Sequence, residues 1–590
     1  MPERRGRRLD APAKVAFNAV REKVRLAAIM LLNGAAIHRQ SSRLAIQYWL
    51  FFLVYLCLYL YILQDTLSVW FGRPPHFLTM HCMSHQRESP IAMGKEEFKR
   101  IGHELIDTIA EFIDTISERP VTTGETPSQI QQVLGHAALP EHGTPAAALL
   151  TKAAGLVMNH SLLNGHPKFL GYITSSAAPI GALADLLAAS INPNVGANIL
   201  SPMATAIERQ TIGWLAELIG VSPSYGGVLV SGGNMANFTA FLAARTAKAP
   251  KSLKTAGLAG TSGALVAYCP TTTHTWIEKA AVLFGHGSNA IRWIPTDDAN
   301  KMDLAALRQA ITDDLSGGKT PFLVVGTAGD VSTGAVDDLR TIAAICRLYG
   351  LWFHVDGAYG IPAAAVPAYR MLFDGIDEAD SIALDPHKWL YSPLEAGCTL
   401  VKNPQHLLDT YSTHAAYYNF DGGDGEVPTH NYYEFGFQNS RGFRALKVWL
   451  GLQHAGRSGY VQMINDDISL ARLLFERAAS HPELEAITHG LSISTLRYVP
   501  AGHYDGRPET ENYLNTLNEA LLNDLQRRGD VFLSNTVIRG KYCLRACVVN
   551  FRTSAQDIEA VIEIIVREGQ KTHLKLRQQQ GATTAAAYGS

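Results

Sequence analysis

Six short, continuous apolar runs recur between Gly226 and Val401, separated by segments of helical pattern: Gly227-Val-Leu-Val-Ser231, Ala264–Cys269, Phe322–Gly326, Leu351–Val355, Ser381–Leu384 and Gly397–Val401. Runs of this length without polar alternation read as strands buried on both faces. Helices are expected between them at Met235–Arg245, Ile277–Phe284 and Asp337–Tyr349. Strands alternating with helices predict an α/β fold with a mostly parallel sheet covered on both sides. In such sheets ligands lie outside the carboxyl ends of the strands.

Polar residues of unusual type collect at those ends. Lys388 follows the run Ser381–Leu384 in Asp385-Pro-His387-Lys388-Trp389. An ammonium placed directly after a buried strand loses hydration and is a candidate Schiff-base nucleophile, although a lysine at a strand end also snorkels to the surface. Asp356 ends Trp352-Phe-His-Val, where a buried carboxylate needs a partner, for which a protonated pyridine nitrogen would serve; a turn-capping aspartate is the plainer reading. Ser231-Gly-Gly233-Asn234 joins a strand to a helix and offers backbone N–H groups to a phosphate, a role that many Gly-Gly turns lack. His274 opens a helix after Ala264–Cys269, placed to lie flat on an aromatic ring or to bond to backbone. Thr327 adds a polar group to the same rim. A phosphate cradle, a ring-facing histidine, an acid and a lysine at one sheet edge are together the equipment for pyridoxal 5'-phosphate.

With these blocks the chain resembles the group II pyridoxal-phosphate amino-acid decarboxylases, which include the aromatic amino-acid, histidine, glutamate and cysteine-sulfinate enzymes. The resemblance covers about Met93 to Gly569 and rests on Pro386-His387-Lys388-Trp389 and His354-Val-Asp356-Gly-Ala358-Tyr359. It implies the fold type I architecture of pyridoxal-phosphate enzymes, with a seven-stranded-type sheet, an N-terminal helical segment and a small C-terminal α+β domain. It makes Lys388 the cofactor lysine, Asp356 the pyridine partner, Ala358 and His274 the ring contacts, and Gly233 with Asn234 the phosphate pair. Asp385 stands near the phosphate where aromatic-type members carry asparagine, and Ala328 replaces a second polar residue after Gly326-Thr327. Counting back from Arg441 places Tyr432 on the loop tyrosine that protonates the carbon after carbon dioxide leaves, with His387 as the other proton donor and Tyr433 as the neighbouring register. The family is a homodimer with shared active sites. By the same resemblance Phe169, Leu170, Tyr172 and the turn 192–200 line an apolar substrate pocket suited to an aromatic amino acid, while Arg545 is the candidate for an acidic side chain. Two other readings compete. A carbon–carbon lyase similar to sphingosine-phosphate lyase fits Asp385 and the hydrophobic N-terminus, whereas Trp389 and the block 354–359 speak against it. A catalytically silent scaffold is opposed by the retained Lys388 and Asp356.

The domain organisation expected is a basic extension over 1–92, a helical segment over 93–165, a large cofactor domain over 166–460, a small domain over 461–575 and a disordered polar tail over 576–590. Residues 45–63 form an apolar run broken by Gln47, about the length of a membrane span. Three accounts of it stand: a single-pass anchor, an apolar helix docked on the protein, or sequence upstream of a working start at Met93. The catalytic part is expected in the cytoplasm, although the basic residues preceding the run favour the opposite orientation. A net charge of -2 without a basic aromatic patch gives no case for nucleic acid. Seven scattered cysteines with no C-x-x-C pair suggest neither a zinc site nor a disulfide framework.

Overall fold

The computed structural model describes residues 89–261, 263–413, 429–502 and 506–588. The run 45–63 and most of the loop before Tyr432 lie outside the described residues. Met93–Ser590 forms one compact unit. Among the described residues no helix is long and apolar enough to cross a membrane.

Helix α1 (Lys95–Asp114) opens the unit, and α2 (Pro179–Ile191) and α3 (Pro202–Leu218) lead into the sheet. The central sheet comprises β1 (Gly226–Val230), β2 (Leu265–Pro270), β3 (Ile291–Ile294), β4 (Thr320–Thr327), β5 (Trp352–Asp356), β6 (Ser381–Leu384) and β7 (Gly397–Val401), in the spatial order β1-β7-β6-β5-β4-β2-β3. The pairs β2–β3, β2–β4, β4–β5 and β5–β6 are parallel, while β7 runs antiparallel to both of its neighbours. Every residue of β2, β5, β6 and β7 is buried. That is why these strands read as unbroken apolar runs. Strand β3 was not legible in that way, because at this sheet edge Arg292 pairs with Asp314 and Trp293 is exposed, and the two interrupt the apolar pattern.

The parallel register fixes the site. Thr327 is the Cα partner of Asp356, and Asp356 is in turn the partner of Ala383. The carboxyl ends of β4, β5 and β6 are thereby aligned, and the turns that follow them face one opening. Helices α4 (Gly233–Lys248) and α5 (Trp276–Leu283) begin at the same edge, after β1 and β2.

A long element, α5's distant successor α6 (Ala445–Ser480), connects to a second sheet. Its two helical halves meet at Gly456, whose φ of 64° and ψ of 171° are open to glycine and costly for other residues. The expected domain boundary at 460 therefore falls inside α6, just past this kink. The second sheet is antiparallel, in the order β10-β11-β9-β8, from β8 (Leu484–Gly490), β9 (Ile493–Tyr498), β10 (Ser534–Ile538) and β11 (Lys541–Cys547). It packs on α7 (Pro508–Arg528) and α8 (Ala555–Tyr588) through Leu514, Leu517, Leu521, Ile558, Val561 and Ile565.

Two expectations need correction. The stretch 576–590 was expected to be a disordered tail, but α8 continues to Tyr588. Its arginine, glutamines and alanines are polar or small, yet they are strong helix formers. The segment beginning at His166 was assigned to the large domain, but its backbone joins the small one: Leu170 N–H donates to Phe532 O at 2.9 Å and Cys547 N–H to Leu170 O at 2.8 Å.

Candidate active site

A cavity of 770 Å³ opens at the carboxyl edge of the central sheet. Its walls include Gly233, Asn234, His274, Thr327, Asp356, Ala358, Asp385, His387 and Lys388, so nine of the residues singled out in the sequence meet in one place. Each arrives there because a strand or its following turn ends at that edge.

The Ser231–Asn234 turn is shaped by close packing. Gly232 has a φ of 152°, a conformation that favours glycine. A Cβ on Gly233 would lie 2.6 Å from Asp385 Oδ2 and 3.4 Å from the Ala358 methyl. The turn can approach its neighbours only as glycine, and it presents the amino end of α4, a 16-residue helix, to the cavity.

Asp356 is 8% exposed and carries no ion pair among the described residues. Its Oδ2 accepts the Trp276 indole N–H at 2.7 Å, and its Oδ1 accepts the Ala358 backbone N–H at 3.3 Å. Two residues earlier on β5, His354 is fixed as a neutral ring. Its Nε2 donates to Asn237 Oδ1 at 2.7 Å, and its Nδ1 lies 2.9 Å from Ser381 Oγ, which itself accepts the Trp352 indole N–H. Burial pushes the His354 imidazolium down to about 4. His274 is exposed to the cavity, and its Nδ1 accepts the backbone N–H of Trp276 at 3.3 Å, which selects the tautomer protonated at Nε2. Thr327 Oγ1 is buried without a hydrogen-bond partner among the described residues.

Lys388 forms an ion pair with Asp385, Nζ to Oδ2 at 3.0 Å. Asp385 is 1% exposed, and neither of its oxygens accepts a hydrogen bond among the described residues. The anion that replaces the family's asparagine is thus neutralised by the lysine itself. His387 Nδ1 lies 2.7 Å from Ala396 O and donates to it, leaving Nε2 as the acceptor side; burial lowers its imidazolium below the ordinary histidine range. Behind the loop, Trp389 Nε1 and Tyr391 OH both donate to Asp467 Oδ2, at 2.9 and 2.6 Å.

Four sequence-derived candidates are placed elsewhere. Phe169 stacks on Phe532 with centroids 5.5 Å apart, in a small cluster with Val121. Tyr172 leans on the same Phe532, and its carbonyl accepts Arg545 Nη1 at 3.2 Å. Neither ring lines the cavity, nor does Arg545. Tyr432 is fully buried in its own chain, under the Arg441 guanidinium at 4.7 Å, and its hydroxyl has no partner among the described residues. The apolar walls come instead from Ile173, Phe238, Val331 and Leu394. Of the residues that sequence reasoning passed over, Trp276 is the most informative, because an aromatic residue opening a helix reads simply as core.

The family model for the pyridoxal-dependent decarboxylase conserved domain matches residues 127–494. The chain belongs to the pyridoxal-dependent decarboxylase family. It is 32% identical to an aromatic-L-amino-acid decarboxylase of Bacillus atrophaeus over 79% of this chain and 94% of that protein. It is 30% identical to tyrosine decarboxylase 2 of Arabidopsis thaliana over 81% and 88%. In structure it is similar to Oryza sativa TDC solved with PLP and tryptamine, at a TM-score of 0.75 and 25% identity, over 82% of this chain and 99% of that one. The chain is therefore a pyridoxal-phosphate-dependent amino-acid decarboxylase with the fold of that group. The cavity suits the cofactor on its own terms: a glycine cradle that a Cβ would fill, a hydroxyl at Thr327 without a partner and a carboxylate at Asp356 without a cation among the described residues, and a lysine on the same wall.

Proposed function

We propose that the substrate is an aromatic L-amino acid, released as its amine, and that the working unit is a homodimer. The observation carrying the substrate assignment is the charge of the cavity wall. Lys388 is the one cation of Lys or Arg type among the described lining residues, and it is engaged by Asp385, while the wall residue Glu395 is paired with Arg444 at 2.8 Å. A substrate with an acidic side chain would meet no unengaged cation among the described lining residues. A flat apolar side chain would meet Ile173, Phe238, Val331 and Leu394. The named relatives support the same choice.

The bound cofactor supplies an electron-accepting ring for the carboxylate carbon's bonding pair. In this reading Asp356 would hold a proton on the ring nitrogen, and His274 and Ala358 would contact the ring. The N–H groups of Gly233 and Asn234, with the Thr327 hydroxyl, hold the phosphate. Lys388 would supply the amine that holds the cofactor, and Asp385 Oδ2 pairs with its ammonium while it is free, as in this structure at 3.0 Å. Lys388 Nζ would return a proton to the substrate α-carbon, as would His387 Nε2 once it has itself taken up a proton. Tyr432 takes no such part in its own chain's cavity, since its hydroxyl is enclosed beside Arg441.

Support for a second copy lies on α2, where Leu183, Leu186, Leu187 and Ile191 form an exposed apolar stripe at helical spacing. Sedimentation of the full chain at a dimer mass is expected, and a monomer at micromolar concentration would end this part. The substrate test is product mass across a panel: tyramine, tryptamine or phenethylamine is expected, and an amine from glutamate or cysteine sulfinate alone would overturn the assignment.

A further inference from the structure

Trp276 contacts two members of the site at once. Its backbone N–H sets the tautomer of His274, and its indole N–H holds Asp356 Oδ2 at 2.7 Å. The side chain is fully buried, and its ring meets His354 edge-on at 5.8 Å and 84°. His354 is itself held by Ser381 and Asn237, so the indole packs against a fixed neighbour. An indole N–H donates and never accepts, so it satisfies a carboxylate oxygen without offering it a proton acceptor. With Oδ2 occupied, Oδ1 retains acceptor capacity beyond the long 3.3 Å contact from Ala358 N–H.

Resting on the cofactor reading of Asp356, we propose that Trp276 is a positioning residue that fixes the Asp356 carboxylate so that one oxygen is presented to the protonated ring nitrogen. The backbone arm of Trp276 survives any side-chain substitution, so the indole arm can be tested by itself. Aligned, charge-assisted bonds of this kind are the strong ones, and misalignment weakens them steeply.

The test compares equilibrium dialysis of pyridoxal 5'-phosphate and of its 1-deaza analogue, in which a carbon replaces the ring nitrogen, against the full chain and its variants. Trp276→Phe is expected to lower affinity for pyridoxal phosphate about tenfold, the loss of one hydrogen bond to a charged group, and to leave the analogue's affinity unchanged within about twofold. Asp356→Asn is expected to remove the same preference, and the double variant to lose no more than Asp356→Asn alone. Trp276→His, which keeps a ring N–H donor, is the second variant if phenylalanine does not pack, with an intermediate preference expected. Equal losses for both compounds, no loss for either, or a Trp276→His preference as low as that of Asp356→Asn would overturn the proposal. A wild-type chain that shows no preference would instead strike the assignment of Asp356 itself, and the proposal with it.

Discussion

The buried ionic pair at Arg441 and the buried charges at the sheet edge are built on opposite principles. At Arg441 and Glu208 every valence is closed inside the protein. Arg441 Nη1 donates to Val195 O and Glu208 Oε2, Nη2 donates to Glu208 Oε1 and Leu229 O, and Leu229 N–H returns to Glu208 Oε1. At the sheet edge, by contrast, and among the described residues, Asp356 lacks a cation, Thr327 Oγ1 lacks a hydrogen-bond partner, and Asp385 faces Lys388 at 3.0 Å with His387 Nε2 at 3.8 Å. A buried charge that is fully bonded serves the fold, whereas one left with open valences is waiting for a ligand. The difference separates architecture from chemistry without reference to any relative.

The strongest way to break the comparison is Lys388→Ala. Carbon dioxide release is expected to fall on the order of 10⁴-fold or more, while the cofactor still binds measurably by dialysis. Retained turnover would show that the open site is not the reactive one. At the closed site, Arg441→Met is expected to destabilise the chain by about 3–5 kcal/mol in urea unfolding, because Glu208 is left as an uncompensated buried charge. A change below about 1 kcal/mol there would erase the distinction between the two sites.

Asp467 sharpens the comparison through pH. Burial pushes its carboxyl up to about 7, although Trp389 and Tyr391 both donate to it. A carboxyl raised in the fold binds its proton more tightly there than in the unfolded chain, so stability is lost as pH rises from about 4 through 7. Asp467→Asn keeps an acceptor for both donors and removes the charge. It is expected to be more stable than the parent at pH 8, on the order of a few kcal/mol, with the advantage gone below pH 4. An advantage that grows on acidification would reverse the sign and refute the assignment. The smallest expected effect is at Phe169. Phe169→Leu should cost about 1 kcal/mol of stability through its contact with Phe532 and leave KM within about twofold. A raised KM at unchanged stability would restore it to the substrate wall.

Much of this was legible in the sequence. Lys388, Asp356, His274 and Gly233 stand directly after apolar runs, and once those runs are parallel strands their following residues must share one edge. What was hidden depends on contacts between distant parts of the chain. Phe169 is apolar and near the site in sequence, but Phe532 of the small domain claims its face. Trp276 looks like core until the pairing of β4 with β5 and the placement of α5 bring its indole to Asp356. Tyr432 was located by counting, which carries no information about its contact with Arg441.

The most direct test of the account is carbon dioxide release by the full chain with pyridoxal phosphate, run on L-tyrosine, L-tryptophan, L-phenylalanine, L-glutamate and L-cysteine sulfinate, with products identified by mass. Release of carbon dioxide and amine from one or more aromatic substrates, with glutamate and cysteine sulfinate at least about tenfold slower in kcat/KM, is the predicted result. Turnover of an acidic substrate in preference, or cofactor bound with no carbon dioxide from any of the five, would contradict it.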